Sequence, residues 1–168
     1  GILELRTTIA DHYERTYGVQ VDPEQVVVSS GSSGGFSTLL MAAFDAGATI
    51  AMTRPGYPAY RNTVHALGLN VLDLECGAAQ RFQPSVAQLE RLDVKPDGLI
   101  IASPANPTGT IIDPAELAAI ARWCEANDVL LLSDEIYHGI GFGRPTATAW
   151  QTSREAVVLG SVSKFHSM

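Results

Sequence analysis

Lys164 is the residue in this sequence whose chemistry asks most of its surroundings. It lies in Leu159-Gly160-Ser161-Val162-Ser163-Lys164-Phe165-His166, a short apolar run leading into a turn of small residues. An amine held there and kept partly unprotonated can condense with a carbonyl compound to form a Schiff base. A lysine after two serines also serves as an ordinary solvated side chain, so the other reactive positions have to decide between the two. Four further segments sit where strands are predicted to end: Ser30-Gly31-Ser32-Ser33-Gly34, Pro55-Gly56-Tyr57, Ala105-Asn106-Pro107-Thr108-Gly109 and Ser133-Asp134-Glu135-Ile136-Tyr137.

Each segment can supply one kind of contact. Gly31, Ser32 and Ser33 offer N–H groups and hydroxyls to an anion, helped by the partial positive charge at the start of the following helix; a plain glycine-rich turn is the alternative. The pattern is neither G-x-G-x-x-G nor a Walker lysine loop, so nicotinamide and nucleoside-triphosphate fingerprints are missing. Tyr57, just past Pro55-Gly56, can stack on a planar heteroaromatic ring or pack on the next helix beside Tyr60. Asn106 can donate its amide to a ring oxygen or cap its own turn. Asp134 and Glu135 follow Val129-Leu130-Leu131-Leu132, so one carboxylate inherits an apolar setting and needs a partner. A protonated ring nitrogen would serve, with Tyr137 bonding a ring oxygen; a solvated strand end or a metal ligand are the alternatives. Metal is disfavoured because His138 has no histidine partner at ligand spacing. Taken together, a phosphate cradle, a stacking aromatic, an oxygen donor, a carboxylate for a ring nitrogen and a Schiff-base lysine describe pyridoxal 5′-phosphate group by group.

The elements that must position these groups alternate. Ile2, Leu5, Ile9 and Tyr13 predict an amphipathic helix stopped at Gly18, and Val26-Val27-Val28 predicts a buried strand ahead of the Gly/Ser turn. A helix carrying Phe36, Leu39, Leu40, Ala43 and Phe44 follows. Thr49 to Thr53 reads as a strand, Pro58 to Leu67 as a helix closed by Gly68, and Val71 to Leu74 as a strand. Ser85 with Gln88 predicts a capping box for a helix bearing Val86, Leu89 and Leu92. Leu99 to Ala102 is a fourth interior strand, and Asp113, Pro114 and Glu116 open a helix carrying Leu117, Ile120, Ala121 and Cys124. Val129 to Leu132 and Ala156 to Leu159 complete the set. Strands alternating with helices imply α/β architecture with a mostly parallel sheet and helices on both faces. In such sheets ligands bind beyond the carboxyl ends of the strands, where the five segments converge.

Composition narrows the class further. The chain has 168 residues, 46% hydrophobic and 17% charged, which suits one globular domain with a sizeable core. Eighteen acidic against 11 basic residues give a net charge of −7, with no basic run, so nucleic acid is not an expected partner. No signal-peptide pattern and no apolar run near membrane-spanning length is present, and Cys76 and Cys124 lack metal-ligand spacing. A cytoplasmic protein with reduced thiols, no bound metal and no membrane partner is expected.

The ordered motifs S-S-G-S-S-G, R-P-G-Y-P-A-Y, P-A-N-P-T-G, S-D-E-I-Y and S-V-S-K resemble the class I and II aminotransferases, fold-type I pyridoxal-phosphate enzymes, over nearly the whole chain. The resemblance implies a three-layer α/β/α, PLP-transferase-like large domain across residues 1–168. In it Lys164 carries the cofactor and moves the substrate's α-proton, and Asp134 pairs with the pyridinium nitrogen. Tyr137 and Asn106 would bond the phenolic oxygen and Tyr57 would stack on the ring. Gly31, Ser32, Ser33 and Ser161 would hold the phosphate, with Ser163 as a further phosphate contact. The family's G-x-R after the lysine and its later carboxylate-binding arginine do not occur before Met168. The N-terminal arm and small C-terminal domain are likewise expected to be missing, and the fragment is expected to turn over little or not at all. The implied function is amino transfer from an amino acid to a 2-oxo acid in a ping-pong cycle, by a protein that is a homodimer at full length. A C–S lyase, decarboxylase or synthase on the same scaffold, a ligand-sensing domain of a transcription regulator and an inert truncated product are the alternatives.

Overall fold

Five short apolar runs pair side by side in a computed structural model that describes residues 1–168. They are β1 (Thr49–Arg54), β2 (Asn70–Glu75), β3 (Gly98–Ala102), β4 (Leu130–Asp134) and β5 (Val157–Leu159), interleaved with helices α1 (Leu3–Tyr17), α2 (Gly31–Ala43), α3 (Pro58–Ala66), α4 (Val86–Leu89) and α5 (Pro114–Ala126). The sheet order is β2-β1-β3-β4-β5. Every pairing is parallel, with Ile100 opposite Leu132, Ala102 opposite Asp134 and Asp134 opposite Leu159.

Side-chain alternation along the strands builds two cores. Ile50, Met52, Ile100 and Leu132 face Phe36 and Leu40 of α2 and Val64 of α3. Ala51, Leu99, Ile101 and Leu131, one residue out of phase, face Leu89 of α4 and Leu117, Ile120, Ala121 and Cys124 of α5. Period two thus gives each central strand an apolar side chain for either face, and the result is the three-layer α/β/α arrangement expected from sequence. The connection from β1 to β2 runs through α3 on one face, and that from β3 to β4 through α5 on the other. Right-handed crossovers require this change of face when the strand order reverses, and the reversal at β1 and β3 opens a crevice at their carboxyl ends.

Local signals mostly hold, with instructive shifts. Gly18 ends α1 at φ 67°, its N–H bonded to the carbonyl of Glu14. Asp113 caps α5 by accepting the Ala115 N–H at 3.0 Å, whereas Glu116 reaches away to accept the Val86 N–H at 2.6 Å and ties α5 to α4. Ser85 accepts the Gln88 N–H at 3.3 Å, but the Gln88 amide donates to the Glu75 carbonyl, so the capping box is half formed and α4 stops before Leu92.

One expectation is overturned. Val26-Val27-Val28 forms no strand; it is extended chain after a 3₁₀ turn at Pro23–Gln25, with Val27 86% exposed. β-branched residues favour a pleated surface but form a ladder only beside another strand, and none lies next to this segment. The helix predicted before Gly18 forms as α1, with its apolar stripe covered only in part: Ile2 and Leu5 are exposed, while Ile9 and Tyr13 are half-buried. α1 makes its contacts through Tyr13, whose ring lies 5.9 Å from Trp150, and Tyr17, 5.6 Å from the ring of His138.

Candidate active site

Two carboxylates end β4 and point to opposite faces of the sheet. Asp134 continues the Leu132 side and Glu135 the Leu131 side. Asp134 is buried at 8% exposure. Its Oδ1 accepts the Ile136 N–H at 3.1 Å, and its Oδ2 accepts the hydroxyl of Tyr60. Burial raises the Asp134 carboxyl above the usual range, and the bonds from Tyr60 and Ile136 pull part of the way back. No lysine, arginine or histidine forms an ion pair with it.

Tyr60 arrives from the first turn of α3, which Pro58 starts at the position where a missing N–H costs nothing. Its ring lies 5.2 Å from Phe36 of α2 and edge-on to Tyr57 at 5.5 Å. Tyr57 itself is 39% exposed at the N-cap of α3. A cavity of about 580 Å³ beyond β1 and β2 is lined by Met52, Tyr57, Tyr60, Arg61, Cys76 and Phe82 among others. It takes in both tyrosines but reaches neither Asp134 nor Lys164.

Glu135 belongs to a different network. Its Oε1 accepts the Ser133 hydroxyl and the Ala149 N–H, each at 2.9 Å, while Oε2 has no hydrogen-bond partner. Burial pushes this carboxyl up to about 7. His138 Nδ1 stands 3.6 Å from that Oε2, too far for a hydrogen bond, and lies 2.7 Å from the Tyr17 hydroxyl. Burial brings the imidazole down to about 4, so it is neutral. Tyr17 then donates to Nδ1, and Nε2–H donates to the Ser103 carbonyl at 3.0 Å.

Lys164 is exposed, with its Nζ 5.8 Å from the centroid of the Tyr137 ring. Phe165 beside it lies on Gly139, where a Cβ would fall 2.6 Å from the phenyl ring and where φ is +89°. Glycine at 139 therefore lets the chain after β5 close onto the chain after β4. Ser161 and Ser163 share a hydrogen bond at 2.7 Å, and the Ser163 N–H donates to Ser161 Oγ at 3.1 Å. Gly31, Ser32 and Ser33 form the first turn of α2, and the side chain of Ser30 makes no capping bond there. Gly34 and Gly35 keep that turn bare: a Cβ on either would lie 2.9 or 2.8 Å from the hydroxyl of Ser30 or Ser29. Asn106 follows β3 and its amide makes no hydrogen bond within the chain. The structure thus joins Tyr57, Tyr60 and Asp134 in one group and Lys164 with Tyr137 in another, and no hydrogen bond links Asn106 or the start of α2 to either.

Sequence reasoning missed Tyr60 as a partner of Asp134, and it missed Tyr17 and His138 around Glu135. For Tyr60 a signal existed: a helix opened by proline directly after a strand aims its first-turn side chains back at the sheet edge. Both cysteines are free and buried, and burial pushes the Cys124 thiol up to about 12, which suppresses thiolate chemistry. No three histidine, cysteine, aspartate or glutamate side chains come together to hold a metal ion, and no helix is long and apolar enough to cross a membrane.

A family model described as aminotransferase class I and II matches residues 1–168. The valine–pyruvate aminotransferase of Mycobacterium tuberculosis is 54% identical over 170 residues, covering all of this chain and 44% of that protein. An aminotransferase crystal structure from Mycobacterium tuberculosis superimposes with a TM-score of 0.98 at 53% identity, again over all of this chain and 44% of that one. The HTH-type pyridoxine biosynthesis transcriptional regulator PdxR of Corynebacterium glutamicum is 34% identical over 97% of this chain and 35% of its own length. The chain therefore spans less than half the length of these relatives.

Proposed function

Since the chain belongs to the class I and II aminotransferases, we propose that it is the cofactor-binding large domain of a pyridoxal-phosphate-dependent aminotransferase, which moves an amino group from an amino acid to a 2-oxo acid. The observation that carries this reading is Asp134, a buried carboxylate at a strand tip with hydrogen bonds to both oxygens and no cation to balance it. A protonated ring nitrogen supplies that missing charge. The remaining donors suit the rest of the cofactor: an unbonded amide on Asn106, a bare first turn on α2 and a lysine beside Tyr137.

When bound, pyridoxal phosphate supplies an aldehyde carbon and a ring that withdraws electrons from an amino acid's α-carbon. Asp134 would hold the proton on the ring nitrogen, and its low-dielectric setting strengthens that interaction. Lys164 would carry the cofactor and then move a proton at the substrate's α-carbon. Tyr57 would stack on the ring face, and Asn106 and Tyr137 would donate to the ring oxygen. Gly31, Ser32, Ser33, Ser161 and Ser163 would hold the phosphate at the positive end of α2. The 54% identical relative's name supports valine and pyruvate as the first substrates to try. A cytoplasmic homodimer completes the proposal.

Lysine mapping tests the assignment. Besides Lys164 the chain has one lysine, Lys95, whose Nζ bonds the Asn127 carbonyl at 2.9 Å, in the segments that lead into the amino ends of β3 and β4. Borohydride reduction of the full-length protein loaded with pyridoxal phosphate, followed by peptide mapping, is expected to label Lys164; label on Lys95 or elsewhere overturns the assignment. Amino transfer assayed against a panel of donors then separates the enzyme from a ligand-sensing regulator domain. The regulator reading has the 34% identical PdxR relative behind it and predicts cofactor binding without transfer. Free ammonia and a thiol released with the 2-oxo acid would point to a C–S lyase, carbon dioxide to a decarboxylase, and a rearranged or condensed amino acid to a synthase, each with no amino group delivered to an acceptor.

A further inference from the structure

Tyr60 reaches across the carboxyl end of β3, from the helix after β1 to the end of β4, and gives its hydroxyl to a carboxylate. We propose that Tyr60 is the positioning residue of this site: its hydroxyl fixes the orientation of the Asp134 carboxylate and keeps it ionised for the cofactor's ring nitrogen. This rests on the function proposed above. A phenylalanine would pack against Phe36 and Tyr57 equally well, so packing alone does not account for a hydroxyl at this position.

The geometry leaves room for the task. A carboxylate has about four lone-pair directions on its two oxygens. Tyr60 uses one on Oδ2 and the Ile136 N–H one on Oδ1, so each oxygen keeps one free for a further donor. With both oxygens engaged, rotation of the carboxylate would cost two hydrogen bonds. Burial and the neighbouring Asp134 charge hold the Tyr60 phenol well above its ordinary range, so it remains a donor throughout the working pH range. The anchor is rigid as well, because the Tyr60 ring is held between Phe36 of α2 and the edge of Tyr57.

The test uses Tyr60→Phe and Asp134→Asn, singly and combined, in the full-length protein. In cofactor-free samples, carbon-13 NMR of labelled aspartate follows the Asp134 carboxyl; Tyr60→Phe is expected to raise its midpoint by about one pH unit, a tenfold change in proton affinity. Absorbance titration with pyridoxal phosphate is expected to show binding weakened about tenfold by Tyr60→Phe. In the Asp134→Asn background the same substitution is expected to add less than about twofold, because its effect passes through that carboxylate. Tyr60→Leu, which also removes the ring, is expected to lower Tm further than Tyr60→Phe, whose loss is confined to the hydrogen bond and vanishes at pH values low enough to protonate Asp134. An unchanged Asp134 midpoint and unchanged affinity in Tyr60→Phe, with Asp134→Asn still weakening the cofactor, overturns the positioning role and leaves the proposed function standing. Unchanged cofactor affinity in Asp134→Asn overturns both.

Discussion

Asp134 and Glu135 are neighbours in sequence, both buried, both at the tip of the same strand, and they live in different worlds. Asp134 faces α2 and α3, where its partners are a tyrosine hydroxyl and a backbone N–H at the crevice. Glu135 faces the other layer, where Ser133 and Ala149 take one oxygen and the second is left beside a neutral imidazole. The strand's period of two is the whole cause of the difference. One carboxylate keeps lone pairs free on the α2 and α3 side, and the other is tied into the opposite layer, where burial pushes it up to about 7.

That contrast is sharpest in turnover. Asp134→Asn is expected to lower the rate of the amino-acid half-reaction in the full-length enzyme by at least about 100-fold, the scale of losing one buried electrostatic stabiliser. Glu135→Gln is expected to stay within about threefold in the same stopped-flow absorbance assay. Equal losses in both would erase the distinction.

Stability against pH should reverse the ranking. Glu135 titrates near 7 in the fold against an ordinary 4.5, so its contribution is fully present below 4.5 and is lost as pH rises through 7. His138 titrates near 4 against an ordinary 6.5, so its contribution is present above 6.5 and is lost as pH falls through 4. Between these limits the two slopes oppose and largely cancel. Glu135→Gln removes the first, and urea unfolding is expected to show the variant gaining about 3 kcal/mol on wild type between pH 4.5 and 8. A difference independent of pH would mean that Glu135 is ionised throughout.

Smaller effects mark the edges of the comparison. Gly139→Ala puts a methyl group where Phe165 lies, at φ +89°, and is expected to cost about 1–3 kcal/mol and to loosen the segment that carries Lys164. Thermal unfolding reads the first effect and borohydride labelling the second. Asp113→Ala tests a third carboxylate, one that only caps a helix: about 1 kcal/mol of stability is expected to go, with cofactor affinity unchanged by titration.

The strands and the burial of Asp134 were legible because local sequence dictates them. Four aliphatic residues from Val129 to Leu132 must enter a core, and whatever follows ends at the sheet's edge. The caps at Gly18 and Asp113 were legible for the same reason. The partners were not. Tyr60 lies 74 residues from Asp134, and Tyr17 lies 121 residues from His138; the proline-opened helix placed Tyr60 near the strand ends but did not say which side chain it would meet, and nothing local coupled Tyr17 to His138. Which carboxylate faces the crevice was not legible in the residue pattern, because it depends on the layer in which α3 and α5 pack; only the family resemblance singled out Asp134. Val26-Val27-Val28 failed in the opposite sense, with correct local propensity and no neighbouring strand to satisfy it.

The most direct measurement is the protonation state of the cofactor's ring nitrogen, read by nitrogen-15 NMR of the full-length protein loaded with labelled pyridoxal phosphate. The ring nitrogen is expected to hold its proton in wild type and in Glu135→Gln and to lose it in Asp134→Asn. A proton retained in Asp134→Asn, or lost only in Glu135→Gln, would contradict the assignment of Asp134 as the site carboxylate.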